Sequence, residues 1–146
     1  MPSTHTSLHF HIVFSTKDRK PTITDPARVH AFLGGVIRTL DAIPLEVGGI
    51  DDHVHLLAGL KPVHSVADVV RIVKTESSRW VHDELNERRF AWQEGYGAFT
   101  VSRSNIGAVR NYIAGQHEHH RTRSFQDEYR ELLEKHEIAF DERYLW

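Results

Sequence analysis

Apolar and polar positions alternate at the start of the chain. Leu8, Phe10, Ile12 and Phe14 are separated by His9, His11 and Val13, with Ser7 and Ser15 flanking them. That period predicts a strand with one apolar face. A polar turn, "TKDRKPTITDP", follows, and Asp25 before Pro26 reads as an N-cap and first helical position. Val29, Phe32, Leu33, Val36, Ile37 and Leu40 then recur at helical spacing, up to about Asp41. "PLEVGGI" and "HVHLLAGL" predict a second and a third strand, joined by a turn at Asp51 and Asp52. Ser65 to Asp68 is shaped like a capping box, and Val66, Val69, Val70, Val73 and Trp80 give the next helix its stripe. "FAWQEGYGAFTVS" predicts a fourth strand whose glycines mark a bulge or a close backbone approach. Ser104 can cap a third helix running to about His119, and a last helix covers roughly Phe125 to His136.

The order β-α-β-β-α-β followed by two helices predicts an α+β fold. It is the ferredoxin-like, RRM-like arrangement, an antiparallel sheet with two helices on one face and the first and third strands as central neighbours. One domain spans residues 1–146, with 124–146 as an acidic C-terminal extension packed on it.

Composition narrows the classes. Apolar content of 40% and charged content of 26% fit a soluble domain. No stretch reaches the roughly 18 apolar residues of a membrane span, and the first residues lack the pattern of a secretion signal. Without cysteine there is no disulfide and no thiolate metal site. A cytoplasmic location is expected. Net charge is −2, yet residues 124–146 hold seven acids against three bases. The rest of the chain is therefore slightly basic and carries eleven of the twelve histidines, which permits a polyanion partner.

Two stretches carry candidate chemistry. On the third strand, alternation sends Val54, Leu56 and Leu60 to one face and His53, His55 and Leu57 to the other. Imidazoles at i and i+2 lie about 6.6–6.8 Å apart along the strand and can converge on one ion. His9 and His11, on the neighbouring first strand, are expected on the same open face. An H-x-H of this kind is equally at home as a hydrogen-bonded or solvated pair. The helix "SNIGAVRNYIAGQHEHHR" places Tyr112 and Gln116 one turn apart on one side. A tyrosine hydroxyl becomes a competent nucleophile when its target is strongly polarised, as a phosphate is by a divalent cation. A carboxamide oxygen is a hard ligand suited to Mg2+ or Mn2+.

With these pieces in order, the sequence resembles the single-tyrosine HUH transposases, in particular the REP-associated and insertion-sequence (IS200-like) tyrosine transposases. The resemblance rests on "HIVFSTKDRKP", "DDHVHLL", "KTESSRW", "WQEGYGAFTVS" and "VRNYIAGQ", and spans nearly the whole chain. It implies that His53, His55 and Gln116 bind a divalent metal, Mg2+ or Mn2+. It further implies that Tyr112 attacks a phosphate of single-stranded DNA, leaving a 5′-phosphotyrosine and a free 3′-hydroxyl. The DNA would carry imperfect hairpins. The enzyme would be a homodimer in which the tyrosine helix of one subunit can complete the site of the other.

Lys17, Arg19, Lys20, Lys74, Arg79, Arg103 and Arg110 are candidate contacts to the DNA backbone. His117, His119 and His120 could touch phosphate or serve as an alternative ligand, and Trp92, Tyr96 and Phe99 could stack on bases. Asp52 reads mainly as a turn residue that could also hold a histidine tautomer. Two further readings compete. A non-catalytic nucleic-acid-binding module on an RRM-like sheet would lack the aromatic signature of that class. A small zinc hydrolase built on His53 and His55 would lack a general-base motif.

Overall fold

In the computed structural model, which describes residues 3–146, the strands are β1 (Leu8–Ser15), β2 (Ile43–Gly49), β3 (His53–Leu60) and β4 (Gly97–Thr100). They form one antiparallel sheet in the order β2-β3-β1-β4, so β1 and β3 are the expected central neighbours. Helices α1 (Pro26–Thr39) and α2 (Val66–Glu84) lie between the strands in sequence. The Asp25 side chain accepts the Arg28 backbone N–H, and the Ser65 hydroxyl accepts that of Asp68, so both starts are capped as the sequence predicts.

Helices α1 and α2 cover one face. Ile12 and Phe14 of β1 and Val54, Leu56, Ala58 and Leu60 of β3 meet Val29, Leu33, Ile37, Val69, Val70 and Val73 there. Strand alternation and the helical stripes thus close on one another.

The other face is not open. It is covered by α3 (Ile106–Ala114), α4 (Gln116–His119), α5 (Phe125–Lys135) and the residues after them. Leu57 packs with Ile106 and Ile113, while Val13 and Phe99 pack with Phe125, Tyr129, Leu133 and Leu145. The side chains of α5 recur at i, i+4 and i+8, an apolar stripe with a face of the sheet to bury it. Each such residue contributes about 1.5–3 kcal/mol when fully buried.

Three elements depart from the sequence reading. The third helix is broken at Gly115, which caps α3 through its N–H to Asn111 O and Ile113 O before α4 begins. Glycine weakens a helix interior by roughly 1 kcal/mol relative to alanine, which makes it the natural break point. Ser104 caps nothing; a 3-10 turn over Arg103–Asn105 leads into α3 instead. The fourth strand is short because its first half bonds elsewhere. The Lys74 ammonium takes up the carbonyls of Gln93 and Gly95 at 2.8 and 2.7 Å, leaving only an isolated bridge between Thr16 and Trp92.

Candidate active site and metal centre

His53 and His55 do project from β3 on the side away from α1 and α2, but both are fully buried. The expectation that they face open solvent is corrected: α3–α5 lie over them. Register sets Ser15 beside His53 and Val13 beside His55 on β1, with Gly48 of β2 opposite His55. His53 Nδ1 lies 2.7 Å from Asp52 Oδ1, and His55 Nδ1 lies 2.8 Å from His11 Nε2. Asp52 therefore anchors a histidine ring as well as shaping the turn.

The tyrosine helix reaches the histidines because Gly48 has no side chain. A Cβ there would lie 2.4 Å from the Ile113 carbonyl oxygen, so α3 rests directly on the strand. This close contact sets Tyr112 edge-on to His55, with ring centroids 5.8 Å apart. Gln116, almost fully buried, brings its Oε1 within 2.9 Å of His53 Nε2. A single chain thus brings His53, His55, Tyr112 and Gln116 together without help from a second.

One member of the cluster was not anticipated. Glu128 of α5 is 1% exposed and lies at its centre. Its Oε1 is 3.0 Å from His55 Nε2, 3.1 Å from His120 Nε2 and 3.6 Å from His53 Nε2. Its Oε2 accepts hydrogen bonds from the Tyr112 hydroxyl and, at 3.0 Å, from Gln116 Nε2. The Phe125 ring stacks on His53 at 4.5 Å, docking the start of α5 onto the site. His53, His120 and Glu128 form a compact group able to hold a metal ion. A signal existed in the sequence, since Glu128 interrupts the stripe of Phe125, Tyr129 and Leu133 with a charge. His120 was noted only as an alternative, although it continues the spacing of Tyr112 and Gln116.

Burying a carboxylate among imidazoles moves their protonation equilibria. Burial alone would raise the pKa of Glu128, but hydrogen bonds from His120, His55 and Tyr112 outweigh it and hold the group ionised well below the usual range. The Tyr112 hydroxyl is pushed up, first by burial and then by its bond to Glu128. His55 is lowered by burial despite Glu128, whereas for His120 the hydrogen bond and charge of Glu128 overcome burial and raise it. His11, buried against His55, is lowered to about 3 by desolvation first and by that neighbour second.

Other sequence candidates lie apart. His9 pairs in register with Gly59, at the far end of the sheet from His53. His117 is exposed, while His119 Nε2 lies 3.3 Å from Glu128 Oε2. Lys17, Lys20 and Arg103 are exposed, and Arg110 is 3.8 Å from Glu46. The Arg19 guanidinium lies over the Trp146 ring, and Lys74 is committed to its carbonyls. Arg79 sits on α2, across the sheet from the cluster. Trp92 and Phe99 are buried, which leaves Tyr96 of the three aromatics partly accessible. Among the described residues, no helix is long and apolar enough to cross a membrane.

The assembled chain can be compared with known proteins. The family model "Transposase IS200 like" matches residues 4–116, ending at Gln116. The ISDra2 transposase TnpA of Deinococcus radiodurans is 28% identical over 123 residues, covering 76% of this chain and 85% of that protein. The transposase for insertion sequence element IS200 of Salmonella typhimurium is 27% identical over 117 residues, covering 73% and 75%. Among solved structures, a REP-associated tyrosine transposase bound to a REP hairpin shares the fold. It aligns with a TM-score of 0.61 at 12% identity, covering 82% of this chain and 74% of that one. A crystal structure of a Deinococcus radiodurans R1 protein described as a transposase aligns with a TM-score of 0.62 at 22% identity, covering 80% and 95%. With its sequence matched to the family over most of its length and its fold shared with solved relatives, this chain belongs to the IS200-like transposases and is a transposase.

Proposed function

We propose that the protein cleaves and rejoins single-stranded DNA through a covalent link to Tyr112, with a divalent metal, Mg2+ or Mn2+, held by His53, His55 and Gln116. The observation that carries this reading is the hydroxyl of Tyr112 within one buried cluster of imidazole, carboxamide and carboxylate groups. The donor set fits the ion: imidazole nitrogens with a hard carboxamide oxygen and a neighbouring carboxylate. When bound, the ion neutralises charge on the scissile phosphate and makes the phosphorus more open to attack.

The chain's own groups supply the rest. The Tyr112 oxygen bonds to phosphorus while the bond from phosphorus to the 3′-oxygen breaks. The products are a 5′-phosphotyrosine and a 3′-oxygen that takes a proton from water to become a 3′-hydroxyl. Glu128 Oε2, already bonded to the phenol, takes its proton. Because the phenol is held to a high pKa and the carboxylate to a low one, the proton leaves as the new bond forms rather than beforehand. Attack by a 3′-hydroxyl on the phosphotyrosine reverses the step at a new junction. One phosphodiester replaces another, so no ATP is needed.

The substrate in this reading is single-stranded DNA with imperfect hairpins, in keeping with the REP hairpin bound by the structural relative. We also propose a homodimer as the working unit, in which an α3 tyrosine can serve either subunit. Lys17, Arg19, Lys20, Arg103 and Arg110 would hold the DNA backbone. The alternative, a binding module that reads bases on an open sheet face, is disfavoured because that face is covered by α3–α5.

The test is incubation with a hairpin-bearing oligonucleotide and Mn2+, followed by denaturing electrophoresis. A covalent complex is expected that EDTA and Tyr112→Phe each abolish. Persistence of the complex in Tyr112→Phe would sink the assignment.

A further inference from the structure

The hydrogen bonds around the cluster point their protons outward. His53 Nδ1 faces the Asp52 carboxylate at 2.7 Å, and His120 Nδ1 faces the Arg123 carbonyl oxygen at 2.7 Å. Neither acceptor has a proton to give, so each Nδ1 carries the hydrogen. A neutral imidazole then presents a lone pair at Nε2. Both Nε2 atoms turn inward, and both lie 2.9 Å from Gln116 Oε1. The Gln116 amide nitrogen is spent on Glu128 Oε2, which fixes the carboxamide with its oxygen toward the histidines. Glu128 Oε1 adds a fourth lone-pair donor, 3.1 Å from His120 Nε2 and 3.6 Å from His53 Nε2. Four potential ligand atoms therefore converge; in the metal-free chain a proton on His120 Nε2 can be shared with Gln116 Oε1 and Glu128 Oε1, and a divalent cation would take the place of that proton.

The spacings agree. For an ion with oxygen and nitrogen ligands about 2.1 Å away, neighbouring octahedral ligands are about 3 Å apart. The separations of the two imidazole nitrogens from the two oxygens run from 2.9 to 3.6 Å. His55 contacts the same Glu128 oxygen from another side, at 3.0 Å.

We infer that the segment following Gln116 completes the metal centre, with His120 Nε2 and Glu128 Oε1 as direct ligands of the divalent ion. This rests on the metal-dependent reading above and extends it to residues beyond the family match, which ends at residue 116. The ion then ties α5 to the sheet. It would link the buried start of that helix to β3 through His53 and to α4 through Gln116, and its binding would stabilise the packed C-terminal segment.

Mn2+ titration of the metal-free full chain by calorimetry tests this without relying on activity. Glu128→Gln keeps the shape and removes the charge, and His120→Asn removes the imidazole. Each is expected to weaken Mn2+ binding by at least about tenfold, the lower end of what even outer partners of a metal site cost. Unchanged affinity in either variant overturns the assignment of that residue. If His53→Ala loses Mn2+ while Glu128→Gln and His120→Asn do not, the metal-dependent reading stands and this inference falls. If the unchanged protein binds no Mn2+, both fall. A measurement independent of variant folding is anomalous diffraction from crystals of the unchanged protein grown with Mn2+. A peak within about 2.3 Å of Glu128 Oε1 and His120 Nε2 is expected. A peak on His53, His55 and Gln116 with Glu128 and His120 outside bonding distance overturns it.

Discussion

At Glu128 a charge occupies a helix position that the spacing of Phe125, Tyr129 and Leu133 marks for burial. Hydrogen bonds with His55, His120, Tyr112 and Gln116 offset the desolvation, so the residue belongs to the site rather than to the acidic surface around it. His30 is a simpler case. Its Nε2 is buried without a partner, and burial first, then the charge of His53, lower its pKa to about 4. Its folded value lies below the ordinary 6.5, so as pH falls the unfolded chain takes up the proton first. The stability it contributes is full above pH 6.5 and declines from there toward pH 4. In EDTA, the melting temperature of His30→Gln should fall less steeply across that window than that of the unchanged protein; equal slopes would contradict this. Residues whose partners are local were legible in the sequence. His53 and His55 share one strand, and Tyr112 and Gln116 lie only four residues apart across the break at Gly115. For Glu128 the sequence shows a charge within an apolar stripe but not its partners, because these come from β3, α3 and α4, and only the fold brings them to α5.

At the scale of elements, two glycines set the approach of helices to the sheet. Gly48 admits α3. In Gly48→Ala the new Cβ would collide with the Ile113 backbone, and such overpacking costs about 1–3 kcal/mol. The variant should show a lower urea midpoint and form less covalent complex, because Tyr112 moves with the helix. An unchanged midpoint would mean that α3 adjusts freely. Gly97 of β4 likewise admits the Tyr129 ring, 2.8 Å from where a Cβ would be, so the glycine in the fourth strand marks a close approach. Helix α5 is held by its apolar stripe. Leu133→Ala, truncating a buried residue, should cost about 2–5 kcal/mol, read from urea unfolding. The βαββαβ order was readable because each element has its own period and caps. The reach of the fourth strand was not, since it depends on Lys74 taking carbonyls that a ladder would otherwise use. Nor was the cover over the second face, as amphipathic helices do not declare which side of a sheet they pack on.

For the whole molecule, helices lie on both faces of a single sheet, and the cluster of His53, His55, Tyr112, Gln116 and Glu128 lies between β3 and the layer formed by α3–α5. A net charge of −2 leaves no general attraction for DNA, so in the proposed reading binding would depend on a few well-placed basic residues. Lys17→Ala and Lys20→Ala should each reduce the slope of log affinity against log salt by about 1 for single-stranded DNA. Arg79→Ala, across the sheet from the site, should leave it unchanged; an equal loss there would mean that the DNA path is misassigned. In the proposed reaction the covalent link is to Tyr112. This assignment is tested most directly by digesting the protein–DNA complex and mapping the modified peptide by mass spectrometry. A nucleotide phosphate on Tyr112 and no adduct in Tyr112→Phe are expected. A nucleotide on Tyr96, Tyr129 or Tyr144, or an adduct that survives Tyr112→Phe, would contradict it.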